Sequence, residues 1–572
     1  MKYFQIKLIL SILLLSFAAC QTDDDYGAFT PEKEDISLSA TEQTVGKVAG
    51  DHSITVNSNL PWRAESNTSW ISLKTLQGDA GSTTLEYSVE NNITVETRQG
   101  SLDVWITQNN RVTLNISQEA GDLPPDTAQH IYVKPNGTGD GTNWDNATTL
   151  AHALTMDIFD DDKIHLASGT HIPVYTFGGI TGSDDNEITF DIFRNIELIG
   201  GYSANPTEGE TPDASINETI LSGLLDNGTQ VNHVVSITAA KVDGKSVKLS
   251  GLTIRDGNAN GSGNNSVNGI NYPKSYAGGV IIANGRLEIN NCIITDNKVT
   301  GHGIGMYVFS GAELIMNNSK ITGNQGTRSN GGGIYLNGGI ATLSYTSIEN
   351  NVTSGVGGAI QTYGSSILRM YNCTVANNTA GSRGAGVYAR NNTQALLVNC
   401  TVYGNTTTAA PGLGAAVHTH DNSTIDIVSS TITANTGGNG GGINNTAGCT
   451  INLYNSIIAG NIGDGAASDI VGDVGYEYSI IGSDVFGEDG VQLTGEVFDA
   501  STMLEAMADN GGNTQTCKLV GDGNPARTNG MNVTQLQVLG INFSPAVPDD
   551  FSTNDQIGKD RAGNTVMGAL ID

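Results

Sequence analysis

The sequence predicts an all-β protein: a small β-sandwich followed by a long right-handed parallel β-helix. Three observations lead there. Glycine makes up 73 of 572 residues against only 13 prolines, nearly twice the usual share of roughly 7%, which favours dense turns and excludes collagen. Residues 34–120 alternate apolar and polar side chains in short runs broken by polar turns, the period-two signature of half-buried strands. From about 278 to 461 a unit of about 27 residues recurs, and a fixed period of that size means a solenoid. The formal net charge is −31, so phosphate polymers are repelled and nucleic acid is excluded as a partner. Beyond residue 20 no run approaches the roughly 18 apolar residues of a membrane helix.

The chain opens with Met1-Lys2 and Lys7, an apolar run from Leu8 to Ala19, and Phe17-Ala18-Ala19-Cys20. A basic start, a short apolar run and small residues before a cut site read as a secretory signal over residues 1–19. The cysteine directly after the small pair resembles a bacterial lipoprotein signal, although Phe17 stands where that family usually has Leu. The resemblance implies an acylated Cys20 and a lipid-anchored protein. Gln21-Thr22-Asp23-Asp24-Asp25 resembles the acidic signal that sends such lipoproteins to the outer face of the outer membrane. Residues 20–33 then form an acidic tether. The other cysteines, Cys292, Cys373, Cys400, Cys449 and Cys517, are scattered and read as small buried apolar residues.

Residues 34–120 hold strand-like runs such as Ser53-Ile54-Thr55-Val56 and Leu102-Asp103-Val104-Trp105-Ile106, which predict an immunoglobulin-like sandwich. Leu60-Pro61-Trp62, Ser69-Trp70-Ile71, Arg98-Gln99-Gly100 and Ile116-Ser117-Gln118 resemble the BACON domain family. That family is named for a presumed carbohydrate-binding role. Trp62, Trp70 and Trp105 are expected mainly to pack. Residues 121–128, with Pro124-Pro125, form a stiff linker.

In the repeat, a closing Asn recurs at 297, 324, 351, 378, 405, 435 and 461. Each unit holds three strand-like pieces, few Leu, and Gly or Asn at the corners, which favours a β-helix over a leucine-rich repeat. Coils stacked about 4.8 Å apart superpose like residues, so these Asn should form an amide ladder. Asn291, Asn318, Asn372, Asn399 and Asn455 suggest a second. Irregular coils extend the helix over residues 129–490. Its opening, Tyr132 to Trp144, resembles the start of bacterial surface β-helix proteins, and a short helix up to Leu154 should cap it. Residues 491–572 are expected to cap the other end. There Asp509-Asn510-Gly511-Gly512-Asn513 and Lys559-Asp560-Arg561 resemble the choice-of-anchor-Q proteins, with Pro525-Ala526-Arg527 departing from that family's usual piece.

β-Helices outside cells mostly handle polysaccharides, by lyase or hydrolase chemistry or by binding. A calcium-dependent pectate-lyase-like site needs clustered carboxylates, whereas Glu313, Glu349, Asp421 and Asp426 are scattered. No metal or cofactor is expected. Gly301-His302-Gly303 matches a polygalacturonase piece in letters only, because its companion motifs do not surround it. No Lys occurs from 321 to 517, so a Lys–Arg lyase pair is confined to the surroundings of Lys298 or Lys320.

One strand face stands out. Pleat alternation should turn Tyr307, Tyr335, Tyr388 and His418 outward, with Phe309, Tyr363, Arg390 and His420 two residues further on. Such a strip would stack on sugar rings. Tyr388, Arg390, His418 and His420 could also supply the acid, base and neutralising cation of a β-elimination. The leading expectation is a glycan-binding or adhesin-like surface lipoprotein whose partner is a polysaccharide or a host or environmental glycan. The alternatives are a lyase for an acidic glycan and a structural envelope component.

Overall fold

The computed structural model describes residues 33–571 apart from 93, 95, 108, 122–127, 177–184, 268–269, 328 and 409–412. The signal peptide, Cys20, nearly all of the acidic tether and the centre of the linker lie outside the described residues.

The N-terminal unit is a sandwich of two sheets. Ile36–Leu38, Gly50–Ser58, Gly81–Val89 and Ile71–Leu73 form one; Glu42–Val45, Asn110–Gln118, Arg98–Thr107, Trp62–Ser66 and Gln77–Gly78 form the other. Between them lie Val56, Leu85, Tyr87, Leu102, Val104, Leu114 and Ile116, all without solvent contact. Trp62 belongs to this core, and its Nε1 donates to Thr83 Oγ1 at 2.8 Å. A Cβ on Gly78 would fall 2.5 Å from the Trp62 ring, so glycine there lets the edge strand lie against the indole. Trp70 is buried under the Arg98 guanidinium, 4.3 Å from its ring centre. The packing roles expected for these two rings therefore hold, while Trp105 stays half-buried beneath Arg111.

The rest of the chain winds into a parallel β-helix. A regular coil runs through four sheets in turn, illustrated by Val280–Ile282, Arg286–Asn290, Ile293–Thr295 and Lys298–Val299. We call them the first to fourth sheets. Among the described residues they hold 10, 12, 13 and 9 strands. The sequence pattern suggests three strands per unit; the fourth, two residues long, follows each ladder Asn and was too short to show a period. Register is strict. Leu287, Leu314, Ala341, Leu368, Ala395, Ile425 and Ile451 stand one above another in the second sheet. All point into one continuous core, where each coil buries its apolar residues only against its neighbours. At the N-terminal end Leu150–Ala153 forms the expected capping helix, with Thr149 Oγ1 accepting from the His152 amide and Leu150 and Ala153 turned inward.

The predicted amide ladder is continuous. Asn297 Nδ2 donates to Asn324 Oδ1 at 3.0 Å, and the pattern repeats through Asn351, Asn378, Asn405, Asn435 and Asn461 at 2.8–3.0 Å. It ends on Asp469, whose Oδ1 accepts from Asn461 at 2.8 Å. Each of the seven Asn is fully buried, and each oxygen also accepts the backbone N–H of the coil before it, as Asn405 Oδ1 does from Asn378. The second ladder forms only in pieces, Asn291–Asn318 and Asn372–Asn399, because Tyr345 and Ser429 interrupt it. Its Asn residues are selected by backbone shape. Asn291, Asn318, Asn372, Asn399 and Asn455 all have φ near +50°, where asparagine is the most tolerant residue after glycine.

The tail does more than cap an end. Asp484–Phe486 and Gln492–Val497 continue the third sheet antiparallel beyond the last coil. The remainder returns along the flank of the stack. Gln556 Nε2 donates to the Cys373 carbonyl at 3.1 Å, and its Oε1 accepts from Thr401 Oγ1 at 2.6 Å. Arg561 is fully buried and donates to the carbonyls of Val566 and Gly568 and to Asn399 Oδ1. Cys292, Cys373, Cys400 and Cys517 are buried free thiols, and burial pushes those of Cys292 and Cys517 up to about 12.

Removing one rung of the Asn ladder orphans buried partners on two coils. Asn378→Ala should therefore cost about 2–4 kcal/mol, since each stranded buried polar group costs about 1–3 kcal/mol. Asn317→Ala, on a solvent-facing pair with Asn290, should cost less than about 1 kcal/mol. Denaturant midpoints of the two variants check the difference.

Candidate functional site

The predicted strip lies on the first sheet. Strand pairing places Tyr307 beside Tyr335, Gln361 beside Tyr388, and Tyr388 beside His418; Arg390 pairs with His420. The register inferred from the sequence is thus the observed one. The exposure inferred from it is not. Tyr307, Tyr335, Tyr388 and His418 are all buried, His418 completely.

The cause is the turn that leads into each strand. Between the fourth and first sheets the chain folds back across the position just after the strand begins. Gly384, at φ +52°, lies so close that a Cβ on it would fall 2.7 Å from the Tyr388 Cβ. Gly357 lies over Gln361 and Gly414 over His418 in the same way. Sequence alternation distinguishes inward from outward, but it cannot show that an outward side chain has a turn on top of it. Over the earlier coils the cover is thicker. The hairpin Asn264–Val267 and Ile270–Pro273 brings Tyr272 to within 6.2 Å of Phe309, centre to centre. Tyr276 stacks on Tyr307 at 5.0 Å, and His302 stacks on Tyr335 at 5.2 Å. His302, from the Gly-His-Gly piece, is therefore part of this packing.

Under the turns the rings form a second, smaller interior. Tyr307 and Tyr335 stack at 5.0 Å with planes 8° apart; Tyr388 and His418 stack at 5.2 Å. Burial raises the Tyr307, Tyr335 and Tyr388 hydroxyls. Burial first, then the charges of Arg383 and His420, depresses His418 to about 3. An imidazole held neutral and without solvent contact cannot meet a polymer. The acid and base proposed from Tyr388 and His418 are out of reach of any glycan.

The next outward row does reach solvent. Phe309, Tyr363 and His420 are half-buried and Arg390 is exposed. They are joined by a residue that the sequence reading passed over as a site member, Asp421. Arg390 Nε donates to Asp421 Oδ2 at 2.7 Å, and His420 Nδ1 lies 2.7 Å from Asp421 Oδ1. The hydrogen bond from Arg390, then that from His420, holds the Asp421 carboxyl below the usual carboxylate range. The Arg390 guanidinium carbon stands 5.9 Å from the Tyr363 ring centre. Asp421 could have been suspected, because it directly follows an outward His420 at the end of its strand. Among the described residues no group of three or more His, Cys, Asp or Glu is placed to hold a metal ion. The site is thus an aromatic ring, a guanidinium, a carboxylate and an imidazole on the coils of Tyr363, Arg390 and His420.

Residues 278–461 match the family model described as "Right handed beta helix region". The protein is a β-sandwich followed by a right-handed parallel β-helix. Residues 35–120, the sandwich, match the family model described as "Viral BACON domain". No curated protein matches the chain. Among solved structures, the chain is similar to the pectate lyase Pel9A at 13% identity, covering 61% of this chain and 79% of that one, with a TM-score of 0.41. A second similar structure is a Bacteroides ovatus GH5 xyloglucanase bound to a XXXG heptasaccharide. It is 13% identical, with 29% of this chain and 45% of that one covered and a TM-score of 0.15.

If Tyr388 is packing, its removal leaves a cavity beneath the turn. Tyr388→Ala should cost about 3 kcal/mol or more, as buried aromatic truncations do, and calorimetry should show a clearly lowered unfolding midpoint. An unchanged midpoint would mean that the ring is not held under the turn.

Proposed function

We propose that this chain is a glycan-binding β-helix lipoprotein, carried on the outer membrane by acylated Cys20 and facing the cell exterior. The observation that carries the reading is the solvent-facing set of Tyr363, Arg390, His420 and Asp421. A ring beside hydrogen-bonding charged groups suits a sugar, which offers an apolar face and a rim of hydroxyls. Asp421 and Arg390 fix each other, so little side-chain freedom is lost when a ligand docks. The BACON resemblance of the sandwich points the same way. Binding without turnover is favoured over elimination because Tyr388 and His418, two of the four residues suggested for that chemistry, are buried, and the accessible His420 is engaged by Asp421.

The double variant Tyr363→Ala/Arg390→Ala tests the binding reading on a panel of neutral and acidic polysaccharides. Affinity for the bound polymer should fall roughly tenfold or more, about 1 kcal/mol coming from the exposed ring, while the thermal midpoint hardly moves. An unchanged affinity would remove this row from the site. Growth of the absorbance of unsaturated uronates would replace the binder with a lyase.

Lipid anchoring has its own test. Cys20→Ser should abolish metabolic labelling with a fatty acid; label persisting on the variant would refute acylation at Cys20.

A further inference from the structure

A groove of about 640 Å³ lies on the third sheet, on a different face from the Tyr363 row. Its floor is three coils wide, made by the strands Ile293–Thr295, Lys320–Thr322 and Ser347–Glu349 and the turns before them. One wall is residues 212–215, held by the Asp213 amide and the Asn217 side chain on the Gly201 carbonyl. The other is residues 513–515 of the returning tail, held where Thr514 Oγ1 donates to the Asn372 carbonyl and Thr374 Oγ1 to the Gln515 carbonyl. Both walls are tied to the coil stack, so the groove is preformed.

We propose that this groove is a second carbohydrate subsite, taking a neutral oligosaccharide two or three rings long; the proposal rests on the glycan reading above. Three features select that ligand class. Ile293 is 40% exposed on the first strand of the floor, an apolar contact for one sugar face. The Asn291–Asn318 amide pair beside it presents donors and acceptors on rigid backbone, and Tyr345 closes the row with a half-buried ring. The groove has no excess of positive charge, because Lys320 is paired to Glu349 on the neighbouring coil, the wall adds the Asp213 carboxylate, and the chain as a whole is strongly acidic. An anionic polymer gains nothing there. A peptide cannot add as a strand, because every floor strand is already paired on both sides and strand addition needs an open edge. Three coils at about 4.8 Å give a floor about 14 Å wide, room for a short run of rings lying across the coils.

The test uses the full-length protein and three neutral probes, cellotetraose, xylotetraose and mannotetraose, titrated by calorimetry. At least one should bind. Ile293→Ser/Asn318→Gly removes the apolar floor and one amide, and glycine keeps the φ of +48° at that turn. It should weaken binding tenfold or more with an unchanged unfolding midpoint, and do so equally in the Tyr363→Ala/Arg390→Ala background, where only the groove remains to hold a tetrasaccharide. Hydrogen exchange of the unmutated protein should show probe-dependent protection at residues 291–295 and 318–322. Binding insensitive to the groove variant, or protection only elsewhere, overturns the subsite. If no tetrasaccharide binds but a polysaccharide is still held through Tyr363 and Arg390, the groove falls alone. If nothing in either set binds, the glycan reading falls with it.

Discussion

The structure depends on coils stacking in one fixed register, and the buried Asn297–Asn461 ladder makes that register non-negotiable. A parallel sheet alone can slip by two residues and keep the same face inward. Here a two-residue slip would lift an amide out of a pocket where it satisfies its own coil and the next. The whole row would lose its partners together. Because register is fixed at one corner, every other position repeats with it. That is why side chains separated by 27 or 30 residues, such as Tyr388 and His418, meet ring to ring.

The same repetition divides the outward face of the first sheet into two functional zones. The second residue of each strand lies beneath the preceding turn and is interior, although the pleat turns it away from the main core. The fourth position escapes the turn and reaches water. Tyr388 and Arg390 are two residues apart and point the same way, yet one stabilises the fold and the other is available to a ligand. Asp421 belongs with the second group because it closes the strand that carries His420.

Much of this was legible in the sequence. The spacing of the ladder Asn gave the coil length, the register and the role of that corner, because a 27-residue period leaves few architectures. The capping helix at Leu150 and the packing of Trp62 and Trp70 followed from local pattern alone. What could not be read depended on non-local chain paths. The turns over Tyr388 and His418 approach through single glycines, Gly384 and Gly414, with nothing in the pattern to mark them as cover. The hairpin carrying Tyr272 stands before the regular repeat, in coils with no period to place it. The second Asn row looked like a ladder, but its residues were chosen for positive φ, and composition does not separate those two reasons for an Asn. One wall of the groove on the third sheet, residues 513–515, comes more than 200 residues after Asn291 in its floor, a juxtaposition that sequence reading does not supply.

The returning tail changes how this solenoid can be made. A bare coil stack is nearly one-dimensional, so its folding can follow synthesis from the first coil onward. Here Cys373 and Thr401 bond to Gln556, and Asn399 to Arg561, across separations of 155–183 residues. The flank of the middle coils therefore waits, with its polar groups unmatched, until the end of the chain has been delivered. Contacts of such long sequence separation are slow to close. A chain stopped short of Gln556 would hold well-formed early coils beside an unfinished seam, and that seam is where wrong partners would attach.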